Sequence, residues 1–136
     1  MNDCIFCKIV NTGEIPSSKI YEDNEFYAFL DINPINKGHV LVVPKTHCRN
    51  LLDFPRNQEA DAMEVLKKVA KAVVKATNAD GFNMGMNNEP AAGQVIFHAH
   101  FHIIPRFKDD GLHSWPDKNY DEGEMEKYRQ EIVKYI

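Results

Sequence analysis

The sequence predicts an α+β fold, a five-stranded antiparallel meander sheet with one long helix inserted before the fourth strand and a second helix at the C-terminus. Three patterns carry this prediction. Between residues 19 and 43, short β-branched and aromatic runs recur between clusters of turn residues, which is hairpin spacing. Between residues 58 and 77, apolar residues return every third or fourth position, the period of a helix with one buried face. Between residues 97 and 106 strict alternation takes over, as in a half-buried strand.

Taken in order, Ile5, Phe6, Ile9 and Val10 give room for a helical turn or two before Asn11-Thr12-Gly13 closes the run and Pro16 breaks it. Lys19-Ile20-Tyr21-Glu22 and Phe26-Tyr27-Ala28-Phe29-Leu30 flank Asp23-Asn24-Glu25, so they form the first hairpin. Residues 31–38 are loop chemistry, and His39-Val40-Leu41-Val42-Val43-Pro44 is a third strand ended by proline. Leu51, Leu52 and Phe54 belong to a turn that inserts apolar side chains into the core. In the long helix Met63, Leu66, Val69, Ala70, Val73, Val74 and Thr77 share a face. Asn57 is positioned to cap it, Glu59 and Asp61 suit its positive end, and residues 78–81 supply the stop. Residues 81–87 form the fourth strand, 88–94 a loop and 97–106 the fifth strand. Residues 107–119 are irregular, and 121–136 form a helix with Met125, Tyr128 and Ile132 on one side. The chain therefore reads as a single domain over 1–136, with 107–136 as a C-terminal extension.

Composition narrows the function. A chain of 136 residues with 26% charged and 43% hydrophobic residues is ordinary for a soluble globular protein. A formal net charge of −4, without a basic cluster, argues against nucleic acid as a partner. No apolar run is long enough for a membrane span, and the N-terminus lacks a basic, then apolar, leader pattern, so the expected location is the cytoplasm. Three cysteines in a reducing compartment do not suggest a disulfide framework. Cys4 and Cys7 form a C-x-x-C pair that leaves metal binding or simple burial open.

The chemistry concentrates in the fifth strand. His98, His100 and His102 alternate with apolar residues and point to one face, roughly 6–7 Å apart at a strand rise of ~3.3 Å per residue. Phe97, Ala99, Phe101 and Ile103 face the core. Three buried imidazoles would be costly without a task. Two tasks fit: a metal site, or a histidine nucleophile supported by its neighbours. Gly93, Gln94 and Asn87 lie close by as neutral donors suited to phosphate oxygens.

At His98-Ala99-His100-Phe101-His102-Ile103-Ile104 the sequence resembles the histidine triad (HIT) superfamily, whose motif alternates histidine and apolar residues in this way. The likeness runs over about residues 4–106, through Cys4-Ile5-Phe6-Cys7, Ala28-Phe29-Leu30-Asp31-Ile32, the segment from Gly38 to His47, and Ala92-Gly93-Gln94. In one branch of the family a serine follows the glutamine, whereas here the residue is Val95. Pro105-Arg106 and the helical tail make the chain look more like the microbial branch.

The resemblance implies the HIT-like fold and a nucleotide hydrolase or transferase. His100 would be the nucleophile at the α-phosphorus of a nucleoside 5′-phosphoryl compound, forming a nucleotidyl-histidine intermediate and releasing a nucleoside monophosphate. His102 and Gln94, with Gly93 and Asn87, would hold phosphate. His39 would support the nucleophile, Asp31 would receive the ribose, and Phe6, Phe29 and Ile32 would wall a purine base. Zinc would be a structural ion on Cys4, Cys7, His47 and His98. Family members commonly form homodimers through the long helix and fourth strand. A dinucleoside polyphosphate hydrolase and a non-catalytic nucleotide-binding module are the alternatives, and His113 and Trp115 lie outside the motif.

Overall fold

The computed structural model describes residues 3–136. A short helix α1 (Ile5–Val10) precedes strands β1 (Lys19–Glu22), β2 (Phe26–Leu30) and β3 (Val40–Pro44). Helix α2 (Glu59–Thr77), strands β4 (Gly81–Gly85) and β5 (Phe101–Arg106), and helix α3 (Glu124–Val133) complete the order. All strand pairings are antiparallel, and the expected class of five-stranded sheet with a long helix and a C-terminal helix is found.

The strand order, β1-β2-β3-β5-β4, departs from a simple meander at its last step. After β3 the chain crosses through α2 to the sheet edge, forms β4 there, and returns as β5 into the gap beside β3. The histidine-bearing strand is therefore internal, and β4 forms one open edge with β1 at the other. Position inside the sheet fixes His102, because both neighbours of β5 supply ladder bonds, while His98 and His100 lie just ahead of the ladder.

Both faces of the sheet are covered at its centre. On one, Val65, Leu66, Val69, Ala70 and Val73 of α2 pack against Phe26, Ala28, Val40, Val42 and Ile103. On the other, Phe6, Ile9 and Val10 of α1 meet Phe29, Leu41 and Val43. This double cover explains why β3 reads as an unbroken apolar run, since all five of its residues are buried.

Several local expectations change. Helix α2 begins at Glu59 with Gln58 as its N-cap, and Asn57 lies in a preceding 3-10 turn instead of capping. Its other end closes on Asn78 in a left-handed conformation, φ 55°, as the stop signals implied. Strand β4 ends at Gly85, and the fifth strand is shorter than the alternation suggests. Residues 97–100 sit ahead of the ladder, with Ala99 N–H donating to the Cys48 carbonyl at 2.7 Å, and Phe97 is half exposed instead of buried. Helix α3 spans Glu124–Val133, shorter than residues 121–136, and its Met125, Tyr128 and Ile132 are exposed. Among the described residues, no helix is long and apolar enough to cross a membrane.

Candidate active site and metal centre

The site is built where α1, the β2–β3 loop and the segment leading into β5 converge. A cleft of about 500 Å³ opens there, lined mainly by apolar side chains. Of the residues expected from sequence, Phe6, Phe29, Asp31, Ile32, Asn87, Gly93, His100 and His102 all line it. Phe6 stands edge-on to both Phe29 and His100, with ring centroids 5.6 and 4.9 Å apart. Sequence reasoning missed Ile5, Ile9, Ile15, Leu41 and Ile96 as wall residues. The spacing of Ile5 and Ile9, one helical turn apart, was the available signal.

Hydrogen bonds fix the state of each imidazole. His100 Nδ1 lies 2.7 Å from the His98 carbonyl. A carbonyl only accepts, so Nδ1 carries the proton and Nε2 keeps its lone pair on the far side of the ring. Burial holds His100 below the ordinary histidine pKa, against the opposing pull of the His98 carbonyl and the Asp31 charge. The ring is therefore neutral, and nucleophilic at Nε2, at pH 7.

His39 and His102 form a directed pair. The Ile35 N–H donates to His39 Nδ1 at 3.1 Å, so the His39 proton sits on Nε2, which donates to His102 Nδ1 at 2.9 Å. His102 must then carry its own proton on Nε2, which has no partner among the described residues. Burial and the flanking histidines push His102 down to about 4, keeping it neutral. A row of two neutral rings thus delivers one N–H donor beside His100, whose ring centroid is 5.1 Å from that of His102. Asp31 also approaches this pair, its Oδ2 lying 3.7 Å from His39 Nε2. The three could be read as metal ligands by proximity. The Ile35 contact argues otherwise, because with Nδ1 accepting from the Ile35 N–H, His39 would have to lose its single ring proton from Nε2 and bind a cation as an imidazolate.

Gly38 makes this geometry accessible. Its φ of +98° and a close approach to Thr77 Cγ2, 2.7 Å from where a Cβ would stand, exclude a side chain immediately before His39. The Asp31 N–H in turn donates to the His39 carbonyl at 2.9 Å, closing the β2–β3 loop so that the cleft-lining carboxylate stands beside the buried His39 imidazole, which does not itself line the cleft.

Gln94 is placed differently from its expected role. It is buried behind the cleft, where Oε1 accepts from Glu89 N–H at 2.8 Å and Nε2 donates to the carbonyls of Arg49 and Ile96 at 2.6 and 3.0 Å. Both amide protons are engaged by the protein, so the side chain offers no donor to a phosphate. His113 and Trp115 stand exposed on the segment after β5 and do not line the cleft.

A second cluster lies at the opposite end of the triad. Cys4 is the N-cap of α1 and Cys7 is one turn into it, so the helix start turns both thiols the same way. Cys4 Sγ is 3.4 Å from His98 Nδ1, and Cys7 Sγ is 3.4 Å from His47 Nδ1 and 3.5 Å from His98 Nδ1. For zinc with usual Zn–S and Zn–N bonds, a tetrahedral S···N edge is roughly 3.6 Å. The donor set and its spacing fit that ion. His98 Nε2 lies 2.7 Å from the Pro44 carbonyl, which puts its proton there and turns the Nδ1 lone pair to the sulfurs. Burial and the neighbouring Cys4 push the Cys7 thiol up to about 11, an effect that a bound cation would reverse.

Comparison with known proteins identifies the family and the fold. Residues 12–109 match the HIT domain. The chain is 48% identical over 111 residues to Adenylylsulfatase HINT3 of Arabidopsis thaliana, covering 82% of this chain and 56% of that protein. It is 42% identical over 132 residues to Adenosine 5'-monophosphoramidase HNT1 of Saccharomyces cerevisiae, covering 96% of this chain and 80% of that one. Among solved structures, SMU.412c from Streptococcus mutans superposes with a TM-score of 0.91 at 46% identity, covering 99% of this chain and 86% of its own. A zinc-bound histidine triad family protein from Mycobacterium smegmatis matches with a TM-score of 0.77 at 36% identity, covering 99% of both chains. With a domain match over most of its length and relatives at these identities, the chain belongs to the HIT family.

Proposed function

We propose that the chain is a nucleotide hydrolase or transferase that cleaves the α-phosphoryl bond of nucleoside 5′-phosphoryl compounds through a nucleotidyl-His100 intermediate. The observation that carries this reading is the His100 ring, held by the His98 carbonyl at 2.7 Å so that its Nε2 lone pair is free in a nucleotide-sized cleft. The base lies between Phe6, Phe29 and Ile32, and the ribose hydroxyls meet Asp31. His102 Nε2–H and Asn87 hold phosphate oxygens. His100 Nε2 forms a bond to phosphorus as the bond to the leaving group breaks. Water then attacks phosphorus, the P–N bond opens, and a nucleoside monophosphate leaves.

Two relatives carry the names monophosphoramidase and adenylylsulfatase, so the same nucleotidyl half is compatible with different leaving groups. A phosphoramidase-like activity on purine nucleotides is our first reading, with dinucleoside polyphosphates as the alternative substrate. Zinc on Cys4, Cys7, His47 and His98 supplies a structural cross-link, with no position left for water. It ties the start of α1 and the segment after β3 to the triad. We further propose a cytoplasmic homodimer of single-domain chains. The open β4 edge and the exposed Phe82, Met84 and Met63 support pairing through β4 and α2.

A turnover screen of adenosine phosphoramidates, diadenosine polyphosphates and adenylyl sulfate, with monophosphate product measured, tests the activity. Release of monophosphate that disappears in His100→Ala is expected. No turnover of any class would leave only a nucleotide-binding module.

A further inference from the structure

Glu89 holds a positive φ, +73°, with an extended ψ of 158°, a backbone that residues other than glycine adopt at a cost. What this position gains over glycine is a carboxylate. Arg49 Nε and Nη2 donate to it at 2.7 and 2.9 Å, and Asn50 Nδ2 donates at 2.6 Å. The Glu89 peptide closes the other side. Its N–H donates to Gln94 Oε1 at 2.8 Å, and its carbonyl accepts from the N–H groups of Ala92 and Gln94 at 3.0 and 3.2 Å. Leu51 N–H to Asn88 Oδ1 at 2.8 Å and Gln94 Nε2 to the Arg49 carbonyl at 2.6 Å complete the attachment. The strip following His47 is thereby fastened to residues 87–94, the loop whose Asn87 and Gly93 wall the cleft.

Within that loop Asn87 and Gly93 hold each other only loosely, through Asn87 Nδ2 and the Gly93 carbonyl at 3.5 Å. The Gly93 N–H also donates to the Pro90 carbonyl at 3.0 Å, a bond within the loop, so what ties the loop as a whole to the rest of the chain is the attachment behind it. The Arg49–Glu89 pair is about half exposed, with side chains 49% and 46% accessible, so the ion pair contributes little to global stability. Its effect falls on where the loop sits.

We propose that Glu89 is a positioning residue for the phosphate end of the cleft, fixing Asn87 and Gly93 through Arg49, Asn50 and Gln94 without touching the substrate. The proposal rests on the reading of the cleft as a nucleotide site. Glu89 does not line that cleft, so its replacement removes no contact with a ligand.

Glu89→Gly provides the discriminating test, because it relieves the backbone cost while deleting the carboxylate. Adenosine monophosphate binding, thermal midpoint and amide hydrogen exchange are compared for the unmutated protein, Glu89→Gly and Glu89→Gln. In Glu89→Gly the thermal midpoint should hold or rise, while the amides of residues 87–94 lose protection and affinity falls about tenfold, the size of one lost charge-assisted hydrogen bond. Where the protein turns over substrate, kcat should fall by roughly a hundredfold, as for other small misplacements around a reacting centre. Glu89→Gln retains an acceptor and should recover part of both losses. Affinity and loop protection in Glu89→Gly equal to those of the unmutated protein would overturn the proposal. An unmutated protein that binds the monophosphate but turns nothing over would refute the catalytic reading alone, and the affinity test would still decide the role of Glu89. Failure of the unmutated protein to bind the monophosphate would remove the nucleotide reading and this proposal with it.

Discussion

Replacing Asp31 should convert a ribonucleotide site into one indifferent to the sugar hydroxyls. In the structure Oδ1 accepts from Asn33 N–H at 2.8 Å and Oδ2 lies 3.7 Å from His39 Nε2, so both oxygens of this cleft-lining carboxylate keep acceptor capacity to spare. A hydroxyl bonded to a carboxylate is worth about 1.5–3 kcal/mol, so two ribose hydroxyls account for roughly 3 kcal/mol after shared losses. That corresponds to about a hundredfold in Kd. Asp31→Ala also frees the Asn33 N–H, but Asn33 is exposed and water can replace that bond. Asp31→Asn keeps an oxygen for Asn33 and removes only the charge, separating loop disturbance from hydroxyl recognition. Calorimetric titration of adenosine monophosphate and its 2′,3′-dideoxy analogue into the three proteins reads the effect. The ribonucleotide should lose about a hundredfold in Asp31→Ala, and the dideoxy analogue should change by no more than a few-fold. Equal losses for both nucleotides would refute the placement of the ribose.

Three further predictions concern the metal, the acid limit and the assembly. Protein purified without added zinc should carry about one ion per chain in the unmutated form and in Cys48→Ala, but almost none in Cys7→Ala. Cys48 is buried apart from the cluster. Because His102 is held down to about 4, the unfolded chain binds more protons than the folded one between that value and the ordinary 6.5. Stability from this group is therefore full above about pH 6.5 and falls towards pH 4. Urea unfolding at a series of pH values should show a shallower acid slope for His102→Gln than for the unmutated protein. Sedimentation should give about twice the 15.6 kDa chain mass. Charges placed at Phe82 and Met84 on the open β4 edge should return it to a monomer.

Much of the fold was legible because local chemistry and tertiary demand agree. Asp23 ends β1 by accepting from the N–H groups of Glu25 and Phe26 at 2.8 Å each, an arrangement that Asp favours in any context. The apolar stripe of α2 is likewise a local record of the face it buries. The strand order was not legible, because nothing local to β4 or β5 says which of them lies beside β3. Alternation over residues 97–100 imitates a strand, yet Ala99 bonds to Cys48 instead of a ladder neighbour, a long-range contact without local trace. Most cleft residues were legible through the family motif. Gln94 was misleading for a physical reason: an amide beside a histidine row serves equally well as a phosphate donor or as a loop fastener. Only the positions of the Glu89, Arg49 and Ile96 backbone groups separate the two uses.

The central claim is the bond between His100 and the nucleotidyl phosphorus. Incubation with an adenosine phosphoramidate, rapid quenching without acid, and peptide mass spectrometry tests it most directly. An adenylyl adduct on His100 that forms and decays within the time of turnover is expected, together with its absence in His100→Ala and a fall in turnover of several orders of magnitude, as for other covalent nucleophiles. An adduct on His98, His102 or any other residue, or near-normal turnover in His100→Ala, would contradict the account.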